Sequence, residues 1–395
     1  MTDRSATRRP RVESVDIVRG LIMIVMALDH TRDYLGTSTG NPSDPATVAV
    51  ALFLTRWITH ICAPVFFLLT GTGARLSLGR KTRAELSRFL WTRGLWLLFL
   101  DAVVLRCLAY QFNFDFHLTL LIVLWALGWA MIALAALICL PNIGILLIGA
   151  VMVAGHNLLD GVAPASFGAL APLWSILHVP AVIVNAPGHV VFETYPLIPW
   201  VGVTALGWCL GAVYGWPVER RRRLLLWLGW ALVVAFVGLR ALNGYGDPSR
   251  WTVQQTTVRT LLSFVNTTKY PPSLLFLLMT LGPALLLLCA AERRLPTWSE
   301  PVRVVGKVPL FYFAVHFVLI HLVAIAVSAI RFGTVRGMFE SATLAHYPIT
   351  APPGWGFSLP GVWLSWIAVV IVMYPLCRWY AGVKDRRRDW WLSYL

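Results

Sequence analysis

Ionisable side chains lie inside the first long apolar segment of the chain, which reads SVDIVRGLIMIVMALDHTRDYLG. A charge inside a membrane-spanning helix is energetically costly, so such residues usually face a cavity or pair with one another. At a helical rise of ~1.5 Å per residue, they form an inner and an outer cluster about 20 Å apart. The inner cluster is Asp16 and Arg19, and the outer cluster is Asp29, His30, Arg32 and Asp33.

The second apolar segment, ALFLTRWITHICAPVFFLLTGTGARLSL, adds similar groups at about the depth of the outer cluster. Arg56 and His60 are one helical turn apart, so they share a face, and a kink is expected at Pro64. Histidine titrates near neutral pH, and two histidines among acids and arginines therefore suit proton transfer. The alternative is a buried ion-pair network that only fixes helix packing.

Two later segments contribute further candidates. In GKVPLFYFAVHFVLIHLV, His316 and His321 are five residues apart and point in different directions, and each is equally well explained as a core histidine. In NTTKYPPS, Lys269 and Tyr270 precede a predicted helix on the outer side, where a lysine opposes the usual orientation rule. We interpret Lys269 and Tyr270, together with Arg32, as candidate substrate-binding residues.

The elements that must position these residues are membrane-spanning helices. Of 395 residues, 58% are hydrophobic and 13% charged, whereas soluble domains are about 25% charged. The apolar runs approach the ~20 residues that a spanning helix needs, so we expect an all-α bundle of about ten helices. The predicted spans are Ile17–Leu35, Ala51–Leu78, Phe89–Tyr110, His117–Leu140, Ile143–Asp160, Pro196–Trp216, Leu224–Leu242, Pro271–Ala291, Val304–Ile330 and Gly361–Tyr380.

The basic residues orient this bundle, because cytoplasmic loops are enriched in Lys and Arg. Twenty of them fall on one side and five on the other, which places both termini in the cytoplasm. The twenty are Arg4, Arg8, Arg9, Arg11, Arg80, Lys81, Arg83, Arg88, Arg220 to Arg223, Arg293, Arg294, Arg303, Lys307, Lys384 and Arg386 to Arg388, and the five are Arg250, Arg259, Lys269, Arg331 and Arg336. The net charge of +15 therefore indicates topology and contact with anionic lipid, and argues against nucleic-acid binding.

The predicted organisation is one membrane domain over residues 15–381, between a basic N-terminus (1–14) and a basic tail (382–395). The six cysteines fall in or beside predicted helices without metal-ligand spacing, so we expect no disulfide and no metal site. The outer loops from Gly161 to Tyr195, Asn243 to Tyr270 and Arg331 to Pro360 are long, and we expect them to be ordered and to cover the outer mouth.

The motifs SVDIVRGLIMIVMALDHTRDY and TRWITHICAPVFFLLTGTGA resemble those of bacterial heparan-alpha-glucosaminide N-acetyltransferase-like membrane proteins, a group of transmembrane acyltransferases. The resemblance continues through YPLIPWVGVTALGWCLG, NGYGDP, TKYPPSLLFLLMTLGP and GKVPLFYFAVHF. It implies acetyl-CoA supplied from the cytoplasm and an amino sugar or other acceptor on the far side. In the lysosomal branch of this family, the position that matches His30 resembles an Asn. The position that matches His316 is a histidine there as well.

Acyl transfer needs a base for the attacking group and donors for the oxyanion. His30 is the candidate base, with Asp29 or Asp33 orienting its ring, although His60 or a different chemistry stays open. Donor candidates are Arg56, Arg32 and His60, and CoA-phosphate candidates are Arg19, Arg75 and Lys307.

The alternative functions are a multi-pass transporter of a small solute or lipid-linked precursor, and a bundle that only scaffolds partners. Charges near the outer mouth favour chemistry, since transporter sites usually lie near the midplane. We expect a bacterial cytoplasmic membrane location, and a homodimer stays open.

Overall fold

The computed structural model describes residues 12–37, 44–110, 114–293, 296–340, 343–344, 346–387 and 389–394. The basic residues predicted at positions 4 to 11, and also Arg294 and Arg388, lie outside these ranges. The described part is mostly helical. Its first half contains α1 (Glu13–Leu35), α2 (Val50–Ile58), α3 (Cys62–Ser77), α4 (Arg83–Phe99), a π-helical stretch (Leu100–Tyr110), β1 (Leu118–Leu121), α5 (Val123–Leu137), α6 (Asn142–Gly155), α7 (Ala171–Leu177), β2 (Ala181–Ala186) and β3 (His189–Glu193).

The second half consists of helices joined by loops and short 3-10 turns. It contains α8 (Leu197–Val213), α9 (Val218–Leu242), α10 (Thr257–Val265), α11 (Leu274–Ala291), α12 (Glu300–Lys307), α13 (Pro309–Phe332) and α14 (Leu359–Arg386). Within the described ranges, six helical stretches are long and apolar enough to cross a membrane, so this is an integral membrane protein. They are Val50–Ser77, Asn142–Leu159, Val218–Leu242, Leu274–Ala291, Pro309–Phe332 and Leu359–Arg386. The number ten and the cytoplasmic termini stay predictions.

Prolines explain two breaks in the helices. Between α2 and α3 a 3-10 turn, Thr59–Ile61, precedes Pro64, which lacks the N–H that would bond the His60 carbonyl. Between α12 and α13, Val308 leaves the helical region (φ −131°, ψ 51°) because Pro309 follows it. The predicted span Val304–Ile330 is therefore two helices, and the break leaves Lys307 at a helix end.

A three-stranded sheet forms in the outer segments, which the all-α prediction did not include. Its order is β1-β3-β2, with β1 and β3 parallel and β2 and β3 antiparallel. The predicted span His117–Leu140 is wrong at its start, where Leu118–Leu121 is the strand β1. The Asp101 carboxylate accepts a hydrogen bond from Ile122 N (3.2 Å), which satisfies a backbone donor where α5 begins.

The predicted orientation is testable by labelling. A cysteine introduced at Ser166 or Trp251 should react with a membrane-impermeant maleimide in intact cells, because both lie in segments predicted to be outside. A cysteine at Arg222, in the cluster Arg220 to Arg223, should react only after the membrane is permeabilised. Labelling of position 222 in intact cells would contradict the orientation.

Candidate active site

Two histidines from distant parts of the chain meet at the end of the bundle that is predicted to face outward. His30 Nδ1 lies 2.7 Å from His316 Nε2, and the rings stack with centroids 5.0 Å apart. His316 is completely buried on α13, and its Nδ1 lies 2.9 Å from the carbonyl oxygen of Tyr312. The Phe317 ring stacks on the His30 ring with centroids 4.1 Å apart, and it lies 4.5 Å from the His316 ring. The His30 ring is thus held by His316 and Phe317. An orienting role for Asp29 or Asp33 stays a prediction.

The partners of these nitrogens determine the tautomers of the neutral pair. A carbonyl oxygen only accepts, so His316 Nδ1 carries a proton and donates it to Tyr312 O. His316 Nε2 is then an acceptor, and His30 Nδ1 must donate to it. The remaining nitrogen of His30, Nε2, consequently has a free lone pair, which is the form that a general base requires.

The neighbouring charges form an ion-pair network. Arg56 hydrogen bonds to the Asp29 carboxylate, and the same Arg56 nitrogen lies 3.3 Å from Thr59 Oγ1. Arg32 reaches both Asp29 (2.8 Å) and the more exposed Asp33 (2.7 Å). α1 and α2 are thereby tied together at the depth of His30, as the spacing of the two segments predicted.

An outer cavity of about 320 Å³ contains this site. From the predicted set it is lined by Asp29, His30, Asp33, Arg56, Lys269 and Tyr270. The sheet and the residues after it supply a wall that sequence reasoning missed, with Leu118, Leu120, Phe192, Thr194 and Tyr195. In the sequence, the only signal for this wall was the length of the outer loop. Pairing between β1 and β3 joins residues about seventy positions apart, and short-range patterns do not predict such pairing.

The loop that presents Lys269 and Tyr270 is held by one carboxylate. Asp247 accepts hydrogen bonds from Thr268 N (2.9 Å), Thr268 Oγ1 (2.8 Å) and Ser273 Oγ (2.7 Å). Ser273 also caps α11 by accepting from the Phe276 N–H. The Gly-Asp-Pro segment around Asp247 and the TKYPPS segment therefore form one rigid unit. The fixed geometry of this unit directs Lys269 and Tyr270 into the cavity.

His60, which was predicted at the depth of the outer cluster, lies apart from it. It is buried at 4% exposure, lies against the Phe276 ring at 5.5 Å, and is not among the described residues that line the outer cavity. His321 is also buried, and its Nε2 lies 3.0 Å from Met338 O. The structure therefore pairs His30 with His316, while His60 and His321 lie in the packed interior.

A second cavity of about 310 Å³, the lower cavity, lies on the basic side. Among the described residues, four cations line it, namely Arg19, Arg93, Lys307 and Lys384. Phe66, Val123 and Phe313 line both cavities, so the two spaces abut across these side chains. The third residue predicted to bind CoA phosphates, Arg75, is not among the described lining residues, and its guanidinium stacks over Trp208 and lies 3.3 Å from Asn142 Oδ1.

Two glycines bring Arg19 and Lys307 together. A Cβ on Gly20 would lie 1.9 Å from Val302 O, and a Cβ on Gly306 would lie 1.7 Å from Asp16 O. Only glycine allows α1 and α12 to approach this closely. Arg19 then donates to Gly306 O (3.2 Å) and to Asp16 (3.0 Å).

Glu193, at the end of β3, supports a pH-dependent prediction. It is fully buried next to the cavity wall, and burial raises the pKa of its carboxyl to about 9, against ~4.3 in an unfolded chain. The unfolded state therefore loses this proton first, so stability should fall as pH rises from ~4.3 toward 9. Glu193→Gln should remove this loss, and its melting temperature should exceed that of wild type increasingly between pH 5 and pH 9.

The exposed Glu219 provides the matched control. Glu219→Gln makes the same change of charge without burial, so its melting temperature should follow the wild-type pH profile. A Glu193→Gln profile parallel to wild type over the whole range would show that the buried carboxyl does not govern this dependence.

A bundle of apolar helices that encloses a histidine pair, beside a cavity lined with cations, defines a polytopic membrane protein with polar internal cavities. The family model described as heparan-alpha-glucosaminide N-acetyltransferase, catalytic, matches residues 11–245, which is more than half of the chain. The chain belongs to this family, and its function is of the membrane acetyltransferase type. The matched range includes His30 and Arg56 and ends before Lys269 and His316. No curated protein is significantly similar to the chain.

Proposed function

We propose that this protein transfers an acetyl group from cytoplasmic acetyl-CoA to an amino sugar or glycan acceptor outside the membrane, with His30 as general base. The observation that carries the proposal is the placement of His30. It lines the outer cavity with one nitrogen bound to His316, and the outer cavity abuts a cavity lined by four cations. Chemistry on one side and anion binding on the other are what a transferase across a membrane requires.

In the proposed step, His30 Nε2 removes the proton from the attacking amine or hydroxyl of the acceptor. The acceptor atom bonds to the thioester carbonyl carbon, and the carbon–sulfur bond then breaks. The protonated His30 returns its proton to the leaving thiolate, so the enzyme ends as it began. His316 acts as a positioning residue that keeps His30 in the tautomer with Nε2 unprotonated.

The transient negative charge on the carbonyl oxygen needs donors in the same cavity. Arg56, Lys269 and Tyr270 all line it, and Lys269 lies 5.1 Å from the centre of the Tyr270 ring. Lys269 and Tyr270 come from a loop held by Asp247, so their positions do not need to reorganise during the reaction. These three residues are the proposed donors.

The donor molecule fits the lower cavity by charge and length. Arg19 and Lys307 provide cationic groups for phosphates, which bind Lys and Arg through charge-assisted hydrogen bonds. Along the continuous helix α1, Arg19 and His30 are separated by ~16 Å of helical rise. An extended pantetheine arm spans a comparable distance, so phosphates near Arg19 allow the thioester to approach His30 past Phe66, Val123 and Phe313.

The reaction is tested directly with purified protein in lipid nanodiscs. We expect release of free CoA thiol from acetyl-CoA only when an amino-sugar or glycan acceptor is present, together with acetylated acceptor by mass spectrometry. Absence of thiol release with every acceptor, combined with acceptor uptake into proteoliposomes, would favour the multi-pass transporter instead.

A prediction specific to the donor site concerns Lys307. Lys307→Gln should weaken CoA binding about tenfold, since one charge-assisted contact to phosphate is worth ~1.5–3 kcal/mol before solvent screening. Isothermal titration with CoA measures the change. Arg75→Gln is the matched control, because this cation lies outside the lower cavity and should leave the dissociation constant unchanged. Equal weakening by both variants would place the phosphates elsewhere.

A further inference from the structure

Three side chains that the proposed reaction does not use cluster at the outer end of α6. His156 and Asp160 follow α6 with a spacing of four residues, and His178 follows α7. One ligand atom from each residue lies within 4.8 Å of the others. His178 Nε2 is 3.6 Å from Asp160 Oδ1, and the two imidazole rings are 5.7 Å apart and nearly perpendicular.

The histidines of this cluster are buried without ordinary hydrogen bonds. His156 is 2% exposed and His178 is 0% exposed. Within the described part of the chain, none of their four ring nitrogens makes a hydrogen bond of ordinary geometry, although the Pro272 carbonyl is close enough to act on His156. Buried polar groups are nearly always satisfied, and leaving one unpaired costs ~1–3 kcal/mol. Two such imidazoles beside one carboxylate therefore point to a shared ligand.

The carboxylate is positioned as metal-binding carboxylates usually are. Asn157 donates from Nδ2 to Asp160 Oδ2 (2.8 Å), and its Oδ1 accepts from Leu274 N (2.8 Å) on α11. Asp160 Oδ1 is thereby directed toward the histidines. Trp174, fixed by a hydrogen bond to Val162 O (2.9 Å), packs edge-on against His178. Such outer contacts orient metal ligands in known sites.

We propose that His156, Asp160 and His178 bind a divalent transition metal, with Zn²⁺ as the best match to two imidazoles and one carboxylate. Zn–N and Zn–O bonds of ~2.0–2.2 Å place tetrahedral ligands ~3.3 Å apart, so small side-chain rotations close the cluster. Asp160 is partly exposed at 23% of its side chain, and the fourth coordination position opens toward it for water. The sequence-based expectation of no metal site considered only cysteine spacing and did not bring His178 to His156.

The ion would join three parts of the outer surface. It would link the end of α6 to the segment that leads into β2 and β3, and Asn157 would extend the link to α11. Because β3 contains Phe192 and is followed by Thr194, both of which line the outer cavity, the site would stabilise that wall from behind. This role does not depend on acetyl transfer.

The experiment uses the full chain in detergent, purified without a polyhistidine tag, stripped with EDTA and reloaded with ZnCl₂. We expect equimolar zinc by plasma mass spectrometry after gel filtration, and a higher melting temperature than the stripped protein. His156→Gln and His178→Gln should lose the zinc and the thermal shift. His189→Gln is the matched control, because His189 is an exposed histidine of the same outer segment, and it should retain both.

Two further measurements apply if the histidine variants do not fold. Asn157→Ala keeps all three ligands but releases Asp160, and it should weaken zinc binding ~10–100-fold. CoCl₂ added to the stripped wild-type protein should give the visible absorption of a tetrahedral site with nitrogen and oxygen ligands. Substoichiometric zinc in the reloaded wild-type protein, unchanged zinc in His178→Gln, or no cobalt absorption would each overturn the proposal.

Discussion

His30→Ala is expected to lower the rate of acetyl transfer by ~10²–10⁴-fold, the usual loss when a general base is removed. The dissociation constant for CoA should not change, because the cations of the lower cavity are untouched. Steady-state release of CoA thiol gives the rate, and titration with CoA gives the binding. The expected result is therefore a fall in kcat without a matching change in donor affinity.

His60→Ala is the matched control for this loss. His60 lies on the neighbouring helical segment, but it is buried against Phe276 outside the outer cavity, so turnover should stay near wild type. His316→Gln should give an intermediate loss and a shifted pH–rate profile, since it acts through the tautomer of His30. Wild-type turnover in His30→Ala with loss in His60→Ala would move the base to His60.

Asp29→Ala is expected to destabilise the protein by ~3–5 kcal/mol, the usual cost of removing one partner from a buried ion pair. Asp29 is paired with both Arg56 and Arg32, and its side chain is 14% exposed. The variant leaves two guanidinium groups without their shared carboxylate in an apolar setting. Thermal unfolding in detergent, followed by the fluorescence of a thiol-reactive dye, measures the fall in melting temperature.

Asp33→Ala tests whether burial causes this effect. Asp33 also pairs with Arg32, but its side chain is 40% exposed, so the loss should be within ~1 kcal/mol. The double variant Asp29→Leu with Arg56→Met should recover part of the stability lost in Asp29→Ala, because a buried pair replaced by apolar groups leaves fewer unpaired charges. Equal melting temperatures for Asp29→Ala and Asp33→Ala would contradict the buried ion-pair network.

Local pattern was informative wherever the partners lie on neighbouring helices. The apolar runs predicted the helices of a membrane protein, which the structure confirms. Asp29 and Arg56, which were predicted at one depth, are in contact. Helical rise and spacing determine such contacts directly. Pro64 similarly marked the break between α2 and α3, because a missing N–H acts within one turn of its own helix.

The amino-acid sequence by itself determined that this is a membrane protein, which residue types form its outer site, and to which family the chain belongs. Those properties depend on composition, short-range spacing and motif, which need no knowledge of distant contacts. The tertiary structure decided that His316, 286 positions away, holds His30, and that β1 and β3 form a cavity wall. It also brought His178 to His156. The physical reason is that the shapes of whole helices, and close approaches such as that of Gly20 to α12, set the packing between distant segments. The local periodicity of a sequence does not encode this packing.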